Sequence, residues 1–169
     1  MILSSSLSAQ VIFDFNEGCD LQQWRVVDDG VMGGRSKGDI IVTEEGHGKY
    51  FGKISLDNNG GFSSIRYRFS PLTVKDYKNV VIHLKGDGRK YQFIVKANSR
   101  EYYSYIAPFH TSGEWEEIRI SLEDMYPTFR GRKVDLPNFS NDYIEEITFL
   151  IGNKKEGEFV LLIDRIELQ

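Results

Sequence analysis

Cysteine is nearly absent from this chain, since Cys19 is the only one among 169 residues. A single cysteine excludes an intrachain disulfide and a thiolate metal cluster. The three histidines (His47, His83 and His110) lack the spacing of metal ligands. No apolar run approaches the roughly 20 residues of a membrane-spanning helix, so we expect no membrane span.

Basic residues are also fewer than acidic ones. Lysine and arginine number 21 against 25 acidic residues, which gives a net charge of −4 and argues against binding to nucleic acid. Neither a dinucleotide-binding fingerprint, nor a Walker sequence, nor a serine-nucleophile motif is present. Cys19 has no evident base, and Asp28, Asp29 and Asp87 are a weak basis for glycosidase chemistry. We therefore expect no enzymatic activity and no cofactor.

Aromatic residues are abundant, with 11 Phe, 9 Tyr and 2 Trp. From Val11 onward the hydrophobic residues mostly follow the period of two that is typical of β-strands. About ten to twelve short strands at regular spacing predict an all-β fold, a jelly-roll β-sandwich of two antiparallel sheets. We expect residues 11–169 to form one domain, with Trp24 and Trp115 buried. Pro71 is expected to end a strand, and residues 121–142 to form an ordered irregular loop with at most a single helical turn.

The first ten residues differ from the strand that follows them. Residues 1–10 are small and polar, and we expect them to be a flexible segment. They lack the basic and long apolar regions of a secretory signal, yet Ala9 stands where such a signal could end. Two interpretations remain: the end of a signal peptide, or the start of a cytoplasmic protein. We expect a bacterial source, with a cytoplasmic or a periplasmic location.

Glycine is concentrated in three loops: the first glycine loop (28–36), the second (57–62) and the third (86–89). Glycine permits positive φ angles and close approach of other groups to the backbone. Tight turns alone would explain glycine, but they would not explain an apolar Met32 between glycines, so we expect the loops to meet and form a binding site. The predicted binding residues are Asp29, Gly30, Met32, Gly33, Gly34, Arg35, Ser36, Asn58, Asn59, Gly60, Gly61, Phe62, Arg66, Asp87, Arg89 and Arg130.

Several of these predicted residues are arginines. We expect Arg35, Arg66 and Arg89 to converge with Asp29 and Asn59 in a polar cluster below the glycine loops. Such a cluster either binds carboxylate or phosphate groups through bidentate pairs or only holds the loops in place.

Four segments resemble the complex I intermediate-associated protein family, which comprises mitochondrial assembly factors of respiratory NADH dehydrogenase and bacterial relatives. They are Trp24 with D-D-G-V-M-G-G-R-S (28–36), S-L-D-N-N-G-G-F-S-S-I-R (55–66), G-D-G-R-K-Y (86–91) and F-V-L-L-I-D-R-I (159–166), and Y-P-T-F-R-G-R (126–132) is also similar. The resemblance implies a galactose-binding-like jelly roll that acts as a chaperone-like binding domain.

Jelly-roll domains of this general type often carry a structural calcium ion between the first and last strands. Asp14 and Asp164 are placed for this role if those two strands are neighbours. Two carboxylates are too few for calcium, so backbone carbonyls and water would have to complete the site. The alternative is that they are two unrelated surface residues.

Two functions are therefore expected. The first is a protein-interaction or assembly module with Met32 and Phe62 as an apolar centre and arginines at the rim. The alternative is a carbohydrate-binding module that stacks sugars on Tyr102, Tyr103 and Tyr105, with Tyr103 and Tyr105 on one face of a strand.

Overall fold

The computed structural model describes residues 7–169, and this part of the chain contains thirteen β-strands and three short 3-10 helices. The strands form two antiparallel sheets, which confirms the predicted all-β sandwich. The six-stranded sheet has the order β3-β4-β13-β6-β9, with β1 also pairing with β13. Its strands are β1 (Gln10–Asp14), β3 (Lys37–Val42), β4 (Gly48–Ile54), β6 (Asn79–Lys85), β9 (Trp115–Ser121) and β13 (Gly157–Leu168).

The seven-stranded sheet has the order β11-β10-β8-β7-β12-β5-β2. Its strands are β2 (Trp24–Asp28), β5 (Ser63–Thr73), β7 (Lys90–Lys96), β8 (Ser104–His110), β10 (Tyr126–Phe129), β11 (Arg132–Lys133) and β12 (Tyr143–Ile151). Its longest pairing joins β5 to β12, and β12 in turn pairs with β7 at the centre of the sheet.

The hydrophobic core lies between the two sheets, because every second side chain of a strand points to the same face. Trp24 on β2 is only 6% exposed and packs against Phe13, Phe15 and Tyr67, with ring centroids 5.4, 5.4 and 5.0 Å away. The prediction that Trp24 is buried is confirmed.

The prediction for the other tryptophan is wrong, because Trp115 is 45% exposed. On β9, Ile118 and Ile120 supply the inward apolar side chains, and a residue three positions before Ile118 must point to the opposite face. Trp115 therefore lies on the outside of the six-stranded sheet, where its ring is 4.6 Å from that of His47.

Two strand predictions also need correction. Pro71 does not end its strand: β5 continues to Thr73, and the pairing with β12 shifts register between Ile144 and Glu146. A bulge of this kind tolerates proline, because the missing amide is not needed in the ladder. The segment 121–142 is not irregular throughout, since it contains a 3-10 helix (Leu122–Asp124), β10 and β11.

The amino-terminal expectation concerns residues 1–10, of which 1–6 lie outside the described part of the chain. Residues 7–9 are exposed and precede β1, which begins at Gln10.

Candidate functional site

The three glycine loops lie at the same end of the sandwich. Strand pairing shows this. Asp28, at the start of the first loop, pairs with Ser63, which directly follows the second loop. Ser63 also pairs with Ile151, and the adjacent Leu150 pairs with Gln92, close to the third loop that precedes β7. The first loop contains a 3-10 helix (Asp29–Met32), and the second contains another (Asp57–Asn59). All three loops therefore lie at one end of the sandwich, and hydrogen bonds join the first to the second.

Asp29 joins the first two loops. Its side chain is fully buried, and its two carboxylate oxygens accept three backbone N–H groups. Oδ1 accepts from Ser36 at 2.9 Å, and Oδ2 accepts from Gly61 at 2.6 Å and from Phe62 at 3.2 Å. The Asp29 amide in turn donates to the Phe62 carbonyl at 3.2 Å. One buried carboxylate thus fixes the position of one loop relative to the other.

The same contacts set the ionisation of Asp29. Burial alone raises the pKa of a carboxyl group, because it penalises the charged form. Hydrogen bonds from Ser36, Gly61 and Phe62 outweigh this burial effect, so the pKa of Asp29 lies below its ordinary value. Asp29 is therefore ionised at neutral pH, and its charge strengthens the hydrogen bonds that hold the two loops together.

Two glycines are required by the close approach of Asp29 to the backbone. A Cβ on Gly60 would lie 2.6 Å from Oδ2 of Asp29, and a Cβ on Gly34 would overlap the Asp29 carboxyl carbon. Gly33 is required for a different reason, since its φ of 87° lies in the left-handed region. Gly30 has open space around its Cβ position and meets neither requirement. Most of the glycines in the first loop therefore have a structural explanation.

Met32 has no such structural explanation. Its side chain is 71% exposed at the end of the first 3-10 helix. Beside it, Asn58 donates from its side chain to the Gly33 carbonyl at 3.1 Å, and Arg35 lies 4.0 Å from Asp57 with both side chains exposed. An exposed apolar side chain thus projects from a loop that is fastened from below and bordered by charged groups.

Other predicted residues of these two loops hold the loops in place. Ser36 is buried, and its hydroxyl donates to the Ser55 carbonyl at 3.1 Å and accepts from the Ser55 amide at 2.9 Å. Phe62 is half-buried, and Asn59 is exposed with a φ of 59°. These side chains support the loop surface more than they form it.

The third loop is fastened to a different neighbour, the loop that joins β12 to β13. Asp87 accepts from the Tyr91 hydroxyl at 3.1 Å and from the Val160 amide at 2.9 Å. The guanidinium of Arg89 is buried and donates to three backbone carbonyls: that of Lys155 in the β12–β13 loop, and those of Gly157 at 3.2 Å and Glu158 at 3.1 Å at the start of β13.

The predicted arginine cluster does not form. Arg89 binds carbonyls at the end of the β12–β13 loop and the start of β13, Arg35 is exposed beside Asp57, and Arg66 lies on the outward face of the seven-stranded sheet. Asp29 is satisfied by backbone amides instead of arginine. Arg66 cannot lie below the loops, because it directly follows the core residue Ile65 in β5 and so points to the opposite face of the sheet.

Arg130 is also separate from the loops. It occupies the turn between β10 and β11 with a φ of 50°, and its guanidinium lies 5.2 Å from the ring centroid of Phe129. Thr128 pairs with Ser104, the first residue of β8, whereas the last residue, His110, pairs with Lys90 next to the third loop. Arg130 therefore lies at the opposite end of the seven-stranded sheet.

The proposed calcium ligands lie on adjacent strands, because Asp14 pairs with Arg165 next to Asp164. Oδ1 of Asp164 is 3.4 Å from Nδ1 of His47. Residues 7–169 contain no group of three or more His, Cys, Asp or Glu side chains arranged to hold a metal ion. Structural calcium stays a prediction, tested by comparing thermal melting with calcium and with a chelator.

The three tyrosines do not share one surface. Tyr105 is 5% exposed and donates its hydroxyl to Asn141 at 3.2 Å, Tyr103 is half-buried, and Tyr102 is 60% exposed. Tyr102 and Tyr103 precede β8 instead of lying within it. Burial raises the pKa of Tyr105 to about 12.

Sequence reasoning missed two residues beside the second loop. Leu56 is 38% exposed, and the Glu156 side chain accepts from the Leu56 amide at 2.9 Å. Because Glu156 lies a hundred positions further along the chain, no local pattern predicts this contact.

Comparison with solved structures shows the fold. A family 11 carbohydrate-binding module from Clostridium thermocellum, solved with a β-1,3-1,4-mixed-linked tetrasaccharide, aligns with a TM-score of 0.71 at 18% identity, covering 97% of this chain and 96% of that one. An agarase aligns with a TM-score of 0.66 at 13% identity, covering 96% of this chain and 24% of that one. The predicted galactose-binding-like jelly roll is confirmed.

Eukaryotic proteins are among the relatives that sequence comparison finds. An uncharacterised protein of Schizosaccharomyces pombe is 27% identical over 180 residues, covering 92% of this chain and 82% of the relative. Complex I intermediate-associated protein 30, mitochondrial, of Mus musculus is 26% identical over 188 residues, covering 94% of this chain. The chain spans only 55% of the length of the mouse protein.

These relatives correct the expected location. The prediction of a bacterial protein in the cytoplasm or periplasm is wrong, because the named relative is a mitochondrial protein of a eukaryote. Within residues 7–169 we find no helix with the length and apolar character needed to cross a bilayer.

The sequence model of Complex I intermediate-associated protein 30 (CIA30) matches residues 13–163, which is nearly all of the β-sandwich. The match includes all three glycine loops and the strands that fasten them. The chain therefore belongs to the complex I intermediate-associated protein 30 family, as the resemblance of its glycine loops predicts.

Proposed function

We propose that this chain is a non-catalytic protein-binding module that takes part in the assembly of respiratory complex I in mitochondria. Its family, and the mouse relative named for association with a complex I intermediate, support this role. We further propose that the first glycine loop is the contact surface.

The observation that carries the proposal is the exposure of Met32 on a fastened loop. Met32 is 71% exposed, whereas the loop beneath it is held by three hydrogen bonds to a buried, ionised Asp29. Because the loop is already ordered, a partner that binds it loses little conformational freedom. Methionine suits such a contact, since its flexible, polarisable side chain adapts to irregular apolar pockets.

The surroundings of Met32 have the composition of a protein-binding patch. Arg35, Asp57 and Asn58 are exposed and polar, and Leu56 adds a second exposed apolar side chain near the second loop. An apolar centre with a polar rim is the usual arrangement of a protein interface.

The carbohydrate alternative has less support at the residues named for it. Sugar stacking needs accessible aromatic faces, but Tyr105 is 5% exposed and Tyr103 is half-buried. The likeness to carbohydrate-binding modules is below 20% identity and concerns the fold.

A capture experiment tests the proposed function. The purified chain, immobilised, is incubated with detergent-solubilised mouse mitochondria, and retained complex I subunits are identified by mass spectrometry. We expect the wild type to retain them and Met32→Asp to lose them, because the charge must be desolvated at the centre of the contact. The melting temperature should change by only a few degrees, since Met32 is exposed.

Leu136→Asp is the matched control, because Leu136 is also exposed, at 40%, and lies in a different loop. It should retain complex I subunits as the wild type does. Failure of the wild type to capture these subunits would overturn the assembly role. Equal capture by Met32→Asp and Leu136→Asp would overturn the assignment of the first glycine loop. Binding of the wild type to a glycan array without capture of complex I subunits would favour the carbohydrate alternative.

A further inference from the structure

The outward face of the seven-stranded sheet carries a row of side chains that begins with two arginines and lies away from the glycine loops. Strand register places one outward side chain from each of six neighbouring strands in a line. The side chains on either side of this line in sequence, such as Tyr67 and Ile147, point into the core. In order across the sheet, the line consists of Arg25, Arg66, Thr148, Ile94, Ile106 and Tyr126.

Arg25 and Arg66 stand directly opposite each other on β2 and β5, and both are exposed. Like charges in this position repel each other and destabilise a sheet. Neither guanidinium has an acidic partner within 4.0 Å in the described part of the chain. The fold therefore gains nothing from this pair, which points to a negative group supplied from outside.

The neighbouring charges do not cancel the pair. Arg68 lies two positions beyond Arg66 and is 3.5 Å from the buried Glu146. Lys96, opposite Glu146 on β7, donates to the Glu101 carbonyl at 2.8 Å. Glu145, at the bulge in β12, has its pKa lowered mainly by hydrogen bonds from Ser99, with smaller effects of Arg100 and Arg68. The acidic groups on this face thus lie near Arg68, and they leave the positive charge of Arg25 and Arg66 uncompensated.

The shape of this face also suits a chain lying across it. The central strands carry short outward side chains that their neighbours largely cover, with Thr148 6% and Ile106 8% exposed. Longer side chains flank them, with Arg66 on one side and Tyr126 on the other. Four strand spacings separate β5 from β10, about 19 Å, which is wide enough for an extended segment or a helix.

We propose that this trough, defined by Arg25, Arg66, Thr148, Ile94, Ile106 and Tyr126, binds an acidic segment of a protein partner. Carboxylates of the segment pair with Arg25 and Arg66 through bidentate hydrogen bonds, and its apolar side chains lie over the half-buried Ile94. A protein segment fits better than a flat lipid surface, because the apolar floor lies below the rim formed by the long side chains. The inference goes beyond the proposed function, since it concerns a different surface.

Binding of a fluorescein-labelled poly-glutamate peptide of about ten residues, long enough at about 3.4 Å per residue to cross the sheet, tests this inference by fluorescence anisotropy. A chain with net charge −4 has no general attraction for such a peptide, so binding must come from a local patch. We expect Arg66→Gln to weaken binding by about tenfold, the effect of losing one charged hydrogen-bonding group. Binding should also weaken as the salt concentration rises from about 0.05 M to about 0.2 M.

Arg119→Gln is the matched control, because it removes the same charge from the outward face of the other sheet. It should leave binding unchanged. Arg66→Gln should also keep or raise the melting temperature, since it removes the repulsion with Arg25, whereas a purely structural role predicts a lower melting temperature. No binding to poly-glutamate, or equal effects of Arg66→Gln and Arg119→Gln, would overturn the inference.

Vesicles containing phosphatidylserine and a polyadenylate strand serve as competing probes. If either binds through Arg66 while poly-glutamate does not, the face belongs to that class of ligand and the inference fails. Met32→Asp should leave poly-glutamate binding unchanged. The two surfaces are thus tested separately, because capture of complex I subunits depends on Met32 and peptide binding depends on Arg66.

Discussion

Asp29 is buried as an ionised carboxylate whose three amide donors belong to two loops. We expect Asp29→Asn to lower the free energy of unfolding by about 2–4 kcal/mol at neutral pH, because charged hydrogen bonds are lost in a buried site. The folded-state pKa of Asp29 is lowered, so its contribution is present above the unfolded value near 3.9 and disappears as pH falls through the folded value. Urea unfolding at a series of pH values measures both effects.

The control for this prediction is internal to the titration. The difference in unfolding free energy between wild type and Asp29→Asn should be constant from about pH 5 to neutral pH and should shrink below about pH 4. A difference of the same size at about pH 3 would show that the charge on Asp29 is not the source of its contribution.

Residue identities predicted part of the site. Met32 between glycines indicated an exposed contact, and the structure exposes it at 71%. The role of Asp29 was not predictable, because its donors Gly61 and Phe62 lie more than thirty positions away in the chain. The outward direction of Arg66 does follow from the sequence, because Arg66 is next to the buried Ile65 in the same strand.

Arg89 connects the third glycine loop to the end of the β12–β13 loop and the start of β13. Its buried guanidinium donates to the carbonyls of Lys155, Gly157 and Glu158. We expect Arg89→Ala to lower the unfolding free energy by about 2–4 kcal/mol, because buried carbonyls lose their donors. Amide hydrogen exchange should also become faster in residues 153–158, while the centre of β12 stays protected.

Arg119→Ala is the comparison for this element. Arg119 is half-exposed, with Glu117 at 3.8 Å, and exposed ion pairs contribute roughly 0–1 kcal/mol. If Arg89→Ala and Arg119→Ala lower the free energy of unfolding by the same small amount, the hydrogen bonds of Arg89 do not stabilise the segment between β12 and β13.

Alternation of apolar residues predicted most strands, because each strand has one face in the core. It did not predict their partners, since β13 pairs with β4, β6 and β1, which are distant in sequence. Pro71 was misjudged because a bulge in pairing with β12 is a property of two strands and not of the residues around the proline. In the same way, the short strand β10 depends on pairing with β8, and β11 depends on pairing with β10.

At the scale of the molecule, the sandwich presents two separate surfaces. The first glycine loop lies at one end, where β2, β4, β6 and β12 end. The trough that contains Arg25 and Arg66 crosses the middle of the seven-stranded sheet. The six-stranded sheet is different, because its outward arginines are paired: Arg165 lies 3.1 Å from Glu167, and Arg119 lies near Glu117. Arg25 and Arg66 differ from those arginines, because neither has an acidic partner within 4.0 Å among residues 7–169.

The core between the two sheets makes the whole molecule sensitive to alkaline conditions. Tyr50 and Tyr91 lie in it almost completely buried, and burial raises the pKa of both hydroxyls far above their ordinary value. The Tyr50 hydroxyl donates to Ser63 Oγ at 2.9 Å across the sandwich. Each tyrosine keeps its proton in the folded protein but loses it in the unfolded chain above about pH 10. Stability is therefore complete below about pH 10 and falls as pH rises further.

Tyr50→Phe tests this sensitivity. At neutral pH it should lower the unfolding free energy by about 1 kcal/mol, the contribution of one hydrogen bond. Above about pH 10 it should reduce the loss of stability by about 1.4 kcal/mol per pH unit, because one of the two titrating groups is gone. Tyr102→Phe, at an exposed position, should leave the profile unchanged. Urea unfolding from about pH 7 to pH 11 measures this, and identical alkaline slopes in wild type and Tyr50→Phe would contradict a neutral, buried Tyr50 as the link between the two sheets.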